Sequence, residues 1–88
     1  MTVLGYIVQY TNEEEYTVYH GFQKLHKHFS EALEHAKELY RGFLTINDER
    51  YDGPFKAYTP TKKECDTQGS VLVFESSSYI VWIDAVVE

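Results

Sequence analysis

Four histidines, His20, His26, His28 and His35, fall in one short span, and imidazole is the side chain best suited to proton transfer near neutral pH and to transition-metal binding. His26 and His28 share a side if "KLHKH" is extended, and His35 stands about two turns beyond His28 if the following helix starts early. Their spacing matches no metalloprotein motif, and no Cys or carboxylate cluster completes a ligand set. Surface or rim histidines are therefore the expectation, with no metal and no cofactor. Glu31 and His35, four residues apart, read as a helix-surface pair.

Cys65 is the one cysteine, so the sequence holds neither an intramolecular disulfide nor a CxxC motif. The lysines of "KKECDT" would favour a thiolate, but the stretch offers no nucleophile elbow, and a plain exposed or semi-buried loop thiol is expected. Glu13, Glu14 and Glu15 read as a solvated turn. The five glycines are scattered and build no phosphate-binding loop. No catalytic set emerges.

Composition narrows the partners. The 88 residues carry 14 acids against 8 bases, a formal charge of −6, and no basic cluster, so binding to nucleic acid through its phosphates is not expected. No apolar run approaches the ~18 residues of a membrane span, and the start lacks the basic region of a signal peptide. With a lone cysteine, these features point to a soluble cytoplasmic protein. Aromatic residues make up 16% of the chain, and eight of them are Tyr, whose apolar ring and polar tip suit half-buried positions and interfaces.

The elements that would position these residues follow from periodicity. "TVLGYIVQY" and "EEEYTVYHGF" read as a hairpin in which Gln9 opposes Val18. "HFSEALEHAKELYRGF" has apolar residues at spacings of three and four, which predicts a helix with Ser30 as N-cap and Gly42 near its end. Residues 44–69 read as an irregular connection with a short "FKAY" edge strand. "SVLVFESSSYIVWIDAVVE" predicts a second hairpin turning at Ser76-Ser77, with Phe74 opposite Tyr79 and Leu72 opposite Val81.

The expected architecture is a single α+β domain of ββαββ order, a four- to five-stranded sheet with one helix packed on one face. Two hairpins with a helix between them resemble the β-grasp arrangement of ubiquitin-like and immunoglobulin-binding bacterial domains. That resemblance implies that the first and last strands lie side by side and parallel at the sheet centre. The first and last strands are also the ones with apolar residues on both faces.

If the helix covers the face of Ile7, Val18 and Phe22, then Tyr6, Val8, Tyr10 and Tyr19 lie on the other face, beside one side of the last strand with Trp82. An apolar aromatic patch of that kind is expected either to be an interface or to be covered by residues 44–69 folding back over it. The function expected on these grounds is a small acidic, noncatalytic protein-binding module of inhibitor or adaptor type, which also forms a homodimer. Phage and viral inhibitors of host enzymes share this composition. The alternatives are a small-ligand binder or enzyme with a His-lined pocket under residues 44–69, using His20 or His35 beside Cys65 or Tyr58, and a DNA-mimicking inhibitor.

Overall fold

The computed structural model describes residues 2–12, 17–18, 24–45 and 51–88. They form one α+β domain: β1 (Val3–Asn12), β2 (Thr17–Val18), α1 (Phe29–Leu44), β3 (Phe55–Ala57), α2 (Lys62–Gln68), β4 (Ser70–Ser76) and β5 (Tyr79–Val87). The strands make a single sheet in the order β2-β1-β5-β4-β3, with every neighbouring pair antiparallel. No helix among the described residues is long and apolar enough to cross a membrane.

The first and last strands are neighbours, as the β-grasp resemblance implies, but they run antiparallel. The reason lies in residues 44–69. That connection supplies the edge strand β3 and the helix α2 before the last hairpin begins, and one additional strand reverses the direction in which the chain finally meets β1.

Helix α1 begins earlier and ends later than its sequence signals suggest. Its N-cap is His28, with no side-chain capping bond, and Ser30 lies inside the first turn. Phe29 is buried against the ring of Tyr6, and that packing draws the first turn into the helix. Gly42 sits within the helix, which stops at Thr45, whose hydroxyl donates to the carbonyl of Arg41.

Helix α2 was hidden in the loop. Thr61 accepts a bond from the Glu64 amide at 3.2 Å, and Glu64 accepts one from the Thr61 amide at 3.2 Å, a reciprocal capping box. Gly69 ends the helix at φ 83°, the left-handed position that glycine adopts without steric cost.

Both helices pack on one face of the sheet. Tyr6 meets Phe29 of α1 ring edge to face at 5.4 Å and donates its hydroxyl to Asp66 of α2 at 2.6 Å. Directly opposed residues share a face, so this side holds Val8, Ile83 and Val71 in one row and Tyr10, Val81 and Phe74 in the next. Under the second half of α1 the aromatics form a continuous cluster. Tyr40 stacks on Phe74 at 4.9 Å, and Phe43 stacks on Tyr79 at 4.7 Å. Much of the aromatic content is thus core rather than interface.

The face assignment made from sequence is therefore reversed. Tyr6 is 1% exposed and Val8 2%, and α1 covers their side rather than that of Ile7. A buried tyrosine needs a partner for its hydroxyl, and Asp66 supplies one from a helix that the strand pattern does not reveal.

Candidate functional site

The second face of the sheet carries neither helix among the described residues. Three rows of opposed residues define it: Ile7, Asp84 and Ser70; Gln9, Trp82 and Leu72; and Thr11, Ile80, Glu75 and Lys56. Ile7, Leu72, Ile80 and Trp82 are each half-buried by their neighbours. Leu25, exposed, lies over Gly5 at the edge of the same face. The middle of the face is tied by a hydrogen bond of 2.9 Å from Gln9 Nε2 to Asp84 Oδ2. Gln9 Oε1 is shut off from solvent and has no hydrogen-bond partner.

Leu72 reaches this face through a β-bulge. Phe74 pairs with Val81, but Leu72 pairs with Trp82, so Val73 is the extra residue and everything before it changes sides. The turn also lies one residue later than the Ser76-Ser77 expectation. Ser76 Oγ accepts the amide of Tyr79 at 2.9 Å and donates to its carbonyl at 3.0 Å, leaving Ser77 and Ser78 at the tip. In the first hairpin Val18 opposes Thr11 rather than Gln9, a register offset of two residues.

Of the residues expected to contact a partner, Trp82 alone among those described is on the uncovered face. Tyr6 and Val8 are in the core, and Tyr10 is half-buried on the helix side, its ring 5.7 Å from that of Tyr79. Tyr19, His20 and Glu13–Glu15 lie outside the described residues. Ile7, Leu72 and Ile80 were not singled out beforehand, although each sits at an apolar position of a two-faced strand.

A second concavity lies between α1 and the edge of β1. It has a volume of about 870 Å3 and is lined by Val8, Tyr10, His26, Glu31, His35 and Leu39, among others. His26 is carried to its floor by a one-residue bridge to β1: the Tyr6 amide donates to the His26 carbonyl and the His26 amide to the Tyr6 carbonyl, both at 2.8 Å. Gly5 makes this approach feasible, because a Cβ there would stand 2.7 Å from the His26 carbonyl oxygen.

Within the cleft His26 Nε2 and His35 Nδ1 are 3.0 Å apart and share a hydrogen bond. His26 is 7% exposed, its Nδ1 has no hydrogen-bond partner, and Glu31 Oε2 stands 3.9 Å from that atom. Burial holds the His26 pKa below the ordinary 6.5, with His35 and Lys24 adding to the effect and Glu31 opposing it. Among the described residues no three His, Cys, Asp or Glu groups converge to enclose a cation.

A His-lined pocket thus exists, but α1 and β1 form it, not residues 44–69. Neither Cys65 nor Tyr58 lines it. Cys65 is not an exposed or semi-buried loop thiol: it is the buried residue of α2, its thiol 3.7 Å from the Ile83 carbonyl, and burial pushes its pKa up to about 11. That is the environment of an inert structural thiol. No known protein family matches the chain, and no curated protein or solved structure is significantly similar to it.

Proposed function

We propose that the chain is a small acidic, cytoplasmic, noncatalytic protein-binding module that docks through the sheet face centred on Trp82, with a second copy of itself as a partner. The supporting observation is that face itself. Its three rows carry Ile7, Leu72, Ile80 and Trp82 half-buried, no helix of the described residues lies over them, Lys56 and Glu75 lie toward the β3 edge, and Asp84 on the central strand is held by Gln9. Apolar cores rimmed by polar groups, with an aromatic near the centre, are the usual anatomy of protein contacts.

Sedimentation equilibrium over a wide concentration range tests the reading. The wild-type mass should rise above the 10.3 kDa of one chain, while Trp82→Ala and Ile80→Ser stay at that value with unchanged circular dichroism. Because each copy carries a charge of −6, added salt should screen the repulsion and tighten the association. A wild type that remains monomeric, with amide signals of Ile7, Ile80 and Trp82 independent of concentration, would sink the proposal.

A further inference from the structure

We propose that His26 and His35 form a binding site for a divalent first-row transition-metal ion, with Glu31 as the carboxylate behind His26. The site lies on the helix-covered side of the sheet and is independent of the Trp82 face. Imidazole nitrogens suit zinc, copper and nickel, and two of them converge here.

The spacing of the two rings is the first ground. His26 Nε2 and His35 Nδ1 are 3.0 Å apart. With both nitrogens 2.0–2.1 Å from one ion, that separation corresponds to an angle of roughly 90–100° at the metal, within the reach of ordinary coordination. Both rings sit on anchored backbone. His26 is held by the paired bonds to Tyr6, and His35 lies inside α1, so little ordering is left for the ion to impose.

The second ground is the orphaned atom. His26 Nδ1 is sealed from water with no hydrogen-bond partner, a cost that a buried polar group seldom bears without a reason. Metal-bound histidines commonly donate their second N–H to a carboxylate, which fixes the tautomer. Glu31 Oε2, 3.9 Å away on an exposed side chain, is the carboxylate placed to accept that proton.

The ion takes the place of the hydrogen shared between the rings. The ring that donates it gives that proton up to solvent and takes one back on its other nitrogen, so that His26 carries its hydrogen on Nδ1 toward Glu31 and His35 on Nε2, and each neutral ring offers one lone pair to the ion with no net change in protons. The remaining coordination positions open into the cleft, which Glu34 and Glu38 also line, and are left to water or to an external donor.

The test is a titration of the 88-residue chain with zinc chloride in metal-free buffer, followed by calorimetry and by long-range 15N–1H spectra of the imidazoles. One-to-one binding is expected, with the nitrogen shifts confined to the rings of His26 and His35. His35→Gln should abolish saturable binding, Glu31→Gln should weaken it about tenfold, and His28→Gln, at an exposed residue, should leave it unchanged. If His35→Gln fails to fold, the wild-type nitrogen pattern decides. No binding at zinc concentrations on the order of 1 mM, equal shifts in the other imidazole rings, or equal loss in His28→Gln would each overturn the site.

Discussion

Replacing Gly5 by alanine perturbs the point on which the His26 side of the molecule hangs. The added Cβ would lie 2.7 Å from the His26 carbonyl oxygen and 2.8 Å from Leu25 Cδ1. Leu25 is exposed and its side chain can swing aside. The carbonyl is backbone and cannot. Ordinary van der Waals contact begins at 3.4 Å, so the carbonyl must retreat by about 0.7 Å, the difference between the two distances. Such a shift stretches the paired 2.8 Å bonds between Tyr6 and His26 beyond the usual hydrogen-bond range.

The chain then has two responses. Keeping the bridge leaves an overpacked contact costing about 1–3 kcal/mol, and releasing it forfeits two hydrogen bonds worth about 1 kcal/mol each. Alanine also restricts the unfolded chain, which returns about 0.4–1 kcal/mol. A net destabilisation of about 1–2 kcal/mol is expected. Urea denaturation should show it as a lower midpoint at constant slope. Native-state hydrogen exchange should quicken at the Tyr6 and His26 amides before it quickens at Val81 or Ile83 in the core. A Gly5→Ala protein as stable as wild type, with those two amides still protected, would refute the reasoning.

Two other glycines give opposite signs in the same assay. Gly42→Ala lies within α1 with nothing within 4 Å of its new Cβ, and should stabilise the fold by about 0.5–1 kcal/mol. Gly69→Ala forces a Cβ into the left-handed cap of α2 at φ 83° and should cost about 1–2 kcal/mol. Alkaline stability should decline from pH 9 toward pH 12, measured as the urea midpoint. Burial, with Asp66 and Asp84 adding, raises Cys65 from 9.0 to about 11, and burial with Tyr10 raises Tyr79 from 10.0 to about 12, so the unfolded chain loses these protons first. His26 works at the other end. Its folded pKa is depressed, the unfolded chain binds the proton more readily, and stability should fall as the pH drops through 6.5, levelling off below the folded value.

The strands and the principal helix were legible because their signals are local. Period-two alternation marked β1, β4 and β5, period 3.6 marked α1, and the apolar residues on both sides of "SYIVWIDAVVE" marked a central strand. The second helix has a local signal as well. Thr61 and Glu64 in "TKKE" carry the Thr-x-x-Glu signature of a capping box and could have placed α2 in the connection.

The faces were a different matter. Alternation groups Tyr6 with Val8 and Tyr10, and Ile7 with Gln9, but it assigns neither group to a helix. That choice turned on Asp66, sixty residues away, which satisfies the Tyr6 hydroxyl and lets tyrosine enter the core. The bulge at Val73 was equally out of reach, because one unpaired residue leaves composition unchanged while moving Leu72 to the side of Trp82.

The sequence by itself thus determined an α+β domain with two-faced central strands, the principal of its two helices and an acidic, single-cysteine chain. Only the tertiary structure decided which face is core, that the first and last strands run antiparallel, and that His26 meets His35 across the edge of β1. Periodicity constrains a segment against itself. Pairing, burial and the meeting of two imidazoles depend on contacts between segments far apart in the chain, and no local pattern encodes them.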